Sequence, residues 1–213
     1  MDRFSFIFAF YGLILGLAVT ELLSGFAAFA RERRIRTLEL QTALLALLVF
    51  IDICATWLDA WRTLKSTALK LSDLWAPILI ATCFYLAAAL TFPRKSDELG
   101  RLADYYAERK WFVATMLLVA EVLIGVTFIG DYRNNLAHSP ARFWLWQVPY
   151  KIALCASWAA LIVVRSRRAN IIVLCTLIFL FAVPYWTNGA LPDWVHQHFD
   201  QKEAISAQPG RGP

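Results

Sequence analysis

Six long apolar stretches follow one another along this sequence, and they restrict the chain to few structures. A helix that crosses the hydrocarbon core of a bilayer needs about 20 mostly apolar residues. These runs are continuous rather than alternating, and they far exceed the roughly 9–11 residues of a membrane barrel strand. We therefore expect an all-α, polytopic membrane protein, a bundle of six transmembrane helices. The expected spans are Phe4–Ala30, Leu38–Trp61, Leu74–Phe92, Trp111–Ile129, Phe143–Val164 and Ala169–Trp186.

The composition excludes the main alternatives to a membrane protein. Apolar residue types make up 59% of the 213 residues and charged types only 17%. A soluble fold would lack the polar surface to cover so large a core, and a disordered chain would be far less apolar. The first stretch is about twice as long as the roughly 7–15 apolar residues of a signal peptide, so we interpret it as a span. All the cysteines lie in apolar stretches and are interpreted as small hydrophobic residues.

The distribution of Lys and Arg predicts the orientation of the bundle, because these residues are more frequent in cytoplasmic loops. Segments 31–37, 93–110 and 165–168 together contain 12 of them, against eight in the other connections and at the termini. We therefore expect these three segments in the cytoplasm and both termini on the opposite side of the plasma (inner) membrane. The same signal accounts for the arginine run at 31–36, so no nucleic-acid partner is expected.

Two pairs of short segments resemble each other at a nearly constant offset. Leu17–Gly25 and Leu117–Gly125 share five of nine residues, including Glu21 and Glu121. Cys54–Trp57 and Cys155–Trp158 match at an offset one residue larger. These matches predict two three-helix repeats. Because each half has an odd number of spans, the halves would be inverted about an axis in the membrane plane.

The repeat defines the expected domain organisation. Residues 1–92 form the first three-helix repeat, and 93–110 form a cytoplasmic amphipathic linker helix that runs into the fourth span. Residues 111–186 form the second repeat, and 187–213 form an extracytoplasmic tail, partly disordered.

Ionisable residues within the spans are the candidate functional groups. They are Glu21, Asp52, Asp59, Glu121 and Lys151. A central Asp or Lys costs about 2.5–3.5 kcal/mol on insertion scales, so these side chains should face the interior of the bundle. The simplest pairing places Lys151 with Asp52 or Glu121, which leaves a central carboxylate that can carry a proton.

The candidate binding site follows from the charges and the repeat. We expect Glu21 and Glu121 to form a symmetric site, with Asp52 and Lys151 as charge partners. Two small hydroxyl residues either line a polar patch beside it or hydrogen-bond back to their own helices. The complete set of expected substrate- or ion-binding residues is Glu21, Glu121, Asp52, Lys151, Thr56 and Ser157.

Three functional hypotheses fit these features. The first is a small transporter or channel for a cation, proton or small solute. The second is a non-transporting membrane accessory or sensor subunit whose intramembrane charges are structural. The third is an enzyme that acts on lipid or quinone at the outer aromatic rim. No enzyme is expected on balance, because the chain has no Walker loop, GxGxxG or HExxH motif and no intramembrane histidine.

The expected partners are the lipid bilayer and a small solute or ion, with no cofactor and no metal. Gly12 and Gly16 form a small-xxx-small pattern that permits close helix approach. The pattern serves either a contact within the chain or a homo-oligomer, and the sequence does not separate the two.

Overall fold

The chain is helical throughout the part that the computed structural model describes, which comprises residues 3–31, 39–66, 75–93, 102–127 and 143–186 with positions 133 and 140. A single π-helical turn, Phe143–Gln147, leads into the fifth helix. The helices are α1 (Arg3–Arg31), α2 (Leu40–Ser66), α3 (Trp75–Thr91), α4 (Leu102–Thr127), α5 (Val148–Val163) and α6 (Arg167–Trp186). The all-α fold class is therefore confirmed for these residues.

Several of the helices have the length and apolarity of membrane spans. The qualifying segments are Ser5–Ala28, Leu40–Trp61, Leu102–Thr127 and Phe143–Val163. Helix α3 is apolar but shorter, at 17 residues. These helices are consistent with insertion into a membrane.

Helix α2 lies at the centre of the packing. It contacts α1, α3, α4 and α6. The remaining helices form a row in the order α1, α3, α4, α5, α6, and α2 closes it because it packs on both α1 and α6. The core is therefore built around one face of α2.

The core consists of side chains that are apolar at helical spacing on each element. Leu45, Leu48 and Val49 supply the buried face of α2, and we call these three residues the apolar plug. They pack within one continuous cluster that also contains large side chains from α3 to α6, such as Phe84, Leu117, Trp158 and Leu174.

Three glycines on α1 have different surroundings. A Cβ atom on Gly25 would lie 2.5 Å from the ring of Phe92, so the absence of a side chain permits close approach of α1 to the end of α3. Gly12 lies under Trp57 of α2, where a Cβ would be 3.4 Å from Nε1, whereas Gly16 faces open space. The contact of Gly12 is thus within the chain, and the helix surface at Gly16 is exposed.

The described part of segment 93–110 is continuous with the fourth helix. Residues 102–110 belong to α4, with Leu102 and Tyr106 buried and Ala103 exposed. The predicted linker helix and the fourth predicted span are therefore one helix from Leu102 onward. The predicted tail, 187–213, lies outside the described residues.

The packing of the described helices does not repeat between the two halves of the chain. Helices α1 and α3 form an extensive contact, but α4 and α6, their counterparts in a duplicated half, do not, although the side chains of Lys110 and Asn170 join them at one end. The inverted repeat therefore stays a prediction from the sequence.

Candidate functional site

Lys151 on α5 forms an ion pair with Glu121 on α4, across the contact between these two helices. The Nζ atom lies 3.3 Å from Oε2, and it donates a hydrogen bond to that oxygen. The side chain of Glu121 is only 5% exposed, while that of Lys151 is 35% exposed. Of the two pairings expected from the sequence, the structure therefore has the one between Lys151 and Glu121.

Asp52 lies near the middle of α2 and is fully buried, with an exposed fraction of 0%. In the described part of the chain, neither of its carboxylate oxygens has a hydrogen-bond partner, although the Thr56 hydroxyl one turn away is near enough to stabilise the carboxylate. Glu121 and Lys151 both act on it electrostatically, so the three groups form one unit, which we call the charge cluster. Buried polar atoms are rarely left without a partner in proteins, so Asp52 has unused capacity to bind.

A polar stripe on α2 leads away from Asp52. Thr56 and Asp59 follow it at spacings of four and three residues, which places all three on one face of the helix. Asp52 and Thr56 are buried, whereas Asp59 is exposed. Asp59 also acts electrostatically on Asp52 and Glu121, so it lies within electrostatic range of the charge cluster. The stripe thus connects the buried carboxylate to the end of the bundle at which Trp61 lies, the Trp61 end.

Two tyrosines outside the set predicted from the sequence also lie close to the charge cluster. Tyr11 on α1 is buried and interacts electrostatically with Asp52 and Asp59. The hydroxyl of Tyr150 donates to the backbone oxygen of Leu180 at 3.3 Å, which ties α5 to α6 beside the cluster. Tyr150 directly precedes Lys151, and that adjacency was a signal in the sequence. Tyr11 had no such signal, because its role depends on how α1 is rotated against α2.

Glu21 lies away from the charge cluster. It is half-buried on α1, ten residues beyond Tyr11, which corresponds to about 15 Å along the helix axis. Because α1 begins at the Trp61 end, where Phe8 packs on Trp57 and Trp61, Glu21 lies toward the opposite end of the bundle. The structure therefore does not bring Glu21 and Glu121 together.

Of the two hydroxyl residues of the expected site, one lies close to the charge cluster and the other does not. Thr56 lies one turn from Asp52 on the polar stripe. The hydroxyl of Ser157 donates to the backbone oxygen of Ala153 at 2.7 Å, a hydrogen bond within its own helix. Of the expected set, Asp52, Glu121, Lys151 and Thr56 are thus close together, and Glu21 and Ser157 lie elsewhere.

The charge balance of the cluster determines its chemistry. Two carboxylates and one ammonium carry a net charge of −1 when all are ionised, and apolar surroundings make an uncompensated charge costly by several kcal/mol. The cluster can therefore take up one further positive charge, either as a proton on a carboxylate or as a monovalent cation. Across the described residues, no group of three or more His, Cys, Asp or Glu is arranged to hold a metal ion.

Comparison with known proteins gives no further assignment. No protein-family model, no curated protein and no solved structure matches the chain.

Proposed function

We propose that this chain is a six-span membrane transporter or channel that takes up a proton or a monovalent cation at the charge cluster. The observation that carries the proposal is Asp52, which is fully buried and has two carboxylate oxygens without a hydrogen-bond partner among the described residues. We propose binding and translocation rather than catalysis, with the bilayer as the surrounding solvent.

The number of charges supports a cationic substrate. Lys151 supplies one positive charge for the two carboxylates of Glu121 and Asp52, so the charge cluster keeps a net charge of −1 when all three groups are ionised. Ionisable residues at membrane depth are costly to insert and commonly mark ion or proton pathways. A proton or a small cation at Asp52 neutralises the cluster, and its departure restores the negative charge. The cluster can therefore alternate between a loaded and an unloaded form.

The polar stripe supports access from one side. Asp59 is exposed and Thr56 continues from it to Asp52, whereas the apolar plug lies on the other side of Asp52. We propose that the Trp61 end faces out of the cytoplasm, as the Lys and Arg distribution predicts. Both termini would then lie outside, and an ion would enter along the stripe from the outer side.

The proposal is tested by flux measurements on proteoliposomes. Asp52→Asn and Glu121→Gln should each reduce the flux of protons or monovalent cations by at least tenfold, because each removes a carboxylate from the charge cluster. Glu21→Gln is the matched control, since it removes a carboxylate outside the cluster, and its flux should equal that of the wild-type protein.

The same three variants also test the inverted repeat, which rests on the sequence matches. A symmetric site that uses both halves requires Glu21→Gln to be as damaging as Glu121→Gln. Wild-type flux in Glu21→Gln, with loss in the other two variants, assigns the site to α2, α4 and α5 alone.

A second candidate is an accessory or sensor subunit whose charges are structural. The ion pair between Glu121 and Lys151 favours it, because a closed pair between two helices can fix their packing without binding anything. In that case, proteoliposomes with the wild-type protein show no more flux than empty ones, and the Asp52→Asn variant also folds normally and shows no change in flux. This result would reject transport.

A further inference from the structure

A second polar group lies at the opposite end of the bundle, where α2 and α6 begin and α5 ends. We call it the basal node, and its members are Glu39, Thr42, Tyr106, Lys110 and Asn170. Four of these five side chains are buried, and Glu39 is partly buried. Thr42 precedes Asp52 by ten residues, about 15 Å along α2, with the apolar plug between them. The basal node is therefore separate from the charge cluster.

Two cations hold the basal node together. Lys110 on α4 donates hydrogen bonds to the backbone oxygen of Val164 at the C-terminus of α5 and, at 3.0 Å, to Oδ1 of Asn170 on α6. A positive charge at a helix C-terminus is favourable because it meets the negative end of the helix dipole. Arg167 at the start of α6 pairs with Glu39 Oε1 at 3.3 Å. Four helices thus meet at this node through directional contacts.

Three polar atoms of the basal node have no hydrogen-bond partner in the described part of the chain. They are Glu39 Oε2, Thr42 Oγ1 and the hydroxyl oxygen of Tyr106. Thr42 is 1% exposed and Tyr106 is 4% exposed, so bulk solvent does not reach them. Thr42 lies one turn beyond Glu39 on the same face of α2, and Glu39 acts electrostatically on Tyr106. From these relations and from the contact between α2 and α4, we take the three atoms to border one region between the two helices.

The chemistry of these atoms selects the ligand. Two hydroxyls can each donate a hydrogen bond, and a carboxylate oxygen can only accept one. An anion in this region would face Glu39, and a cation would face Lys110 and Arg167. Water is neutral, accepts two hydrogen bonds and donates two, and buried waters typically join two to four polar groups of this kind.

We propose that the basal node is a buried water-binding site, in which water accepts from Thr42 and Tyr106 and donates to Glu39 Oε2. Water here completes the hydrogen bonds of α2 and α4 at the end of the bundle opposite the polar stripe. The site stands independently of the proposed transport, because it rests on a different set of residues.

The experiment uses two substitutions that remove a hydroxyl with almost no change of shape, Thr42→Val and Tyr106→Phe. If water joins the two hydroxyls, each variant loses a satisfied hydrogen bond. The unfolding temperature in detergent should then fall by about 2–4 °C per variant. The decrease in the unfolding temperature of the double variant should be smaller than the sum of the two single decreases, because both hydroxyls share the same water. Thr115→Val is the control, since its hydroxyl bonds only to Trp111 in its own helix, and it should stay near wild type.

A basal node without water predicts the opposite change in stability. If the region is dry, each hydroxyl is an unsatisfied buried group, and its replacement by an apolar group of the same shape raises the unfolding temperature. Radiolytic hydroxyl-radical labelling gives a second readout, because bound water is the source of the radical. Tyr106 should be labelled in spite of its burial, and Thr42→Val should reduce that labelling. Stability at or above wild type in both variants, or an unlabelled Tyr106, overturns the proposal.

Discussion

Asp52 and Glu21 are both carboxylates inside apolar helices, yet the structure gives them different surroundings. The sequence predicts that each is costly to insert and should avoid lipid, but the cost alone does not tell which partner each one meets. That depends on the rotation of α1 and α2 about their axes. The pairing of Lys151 was predictable because it is the only basic residue well inside a span. The basal role of Lys110 was not, because a lysine beside Trp111 has the pattern of an ordinary interfacial residue.

At the residue scale, Lys151→Met should destabilise the fold. It leaves Glu121 buried without its counter-charge, at a cost of about 3 kcal/mol, the lower end for a broken buried pair because Lys151 is partly exposed. Glu121→Gln combined with Lys151→Met should recover most of this loss, since no isolated charge remains. The measurement is the unfolding temperature in detergent. A double variant as unstable as Lys151→Met alone would show that the ion pair does not set the stability.

At the element scale, the apolar runs predict the helices well and their contacts poorly. The observed bounds of α1, α3 and α6 lie within about two residues of the predicted spans, because a long apolar run leaves few other choices in a bilayer. The fifth span differs at its start, where a π-helical turn precedes Val148 and Pro149 occupies the first turn of α5. Hydropathy contains no information on such a change of hydrogen bonding. The contact between α1 and α3 was equally hidden, since apolar faces on all sides of a helix do not select a neighbour.

Gly25 and Gly16 form a matched pair for testing the contact between α1 and α3. Gly25→Ala should lower the stability by about 1–3 kcal/mol, the usual cost of overpacking, because the new Cβ would overlap the Phe92 side chain. Gly16→Ala should leave the stability of the monomer unchanged or slightly raised, since nothing lies within 4 Å of the added atom. Thermal unfolding of both variants is the measurement. Equal effects would contradict the close packing of α1 on α3.

At the scale of the whole molecule, the two polar regions lie on one helix on either side of the apolar plug. The charge cluster and its stripe open toward the Trp61 end, and the basal node ties together the other end. No single apolar run encodes this arrangement, because it depends on the four helices that pack on α2. The polar stripe thus gives the charge cluster a path to the Trp61 end, whereas the apolar plug blocks a path from the cluster to the basal node.

Cysteine labelling tests this closure. In a background without the native cysteines, Thr56→Cys should react with a cationic, membrane-impermeant thiol reagent added from outside, because the polar stripe leads to it. Leu48→Cys, in the apolar plug, should not react from either side. Reaction of Thr56→Cys from the cytoplasmic side alone would reverse the proposed orientation. Rapid labelling of Leu48→Cys would show that the plug is open to water.

The central position of α2 also has a consequence for biosynthesis. Asp52 is translated long before α4 and α6, two of the helices that enclose it. A nascent chain that ends after α3 therefore has an acidic group with an incomplete shelter. We expect such truncations to be retained by the insertion machinery or degraded, whereas the same truncations with Asp52→Leu should integrate stably. The measurement is the pulse-chase decay of the two series of truncations. Slower decay of the Asp52→Leu series would mean that stable integration of the first half of the chain depends on synthesis of the second half.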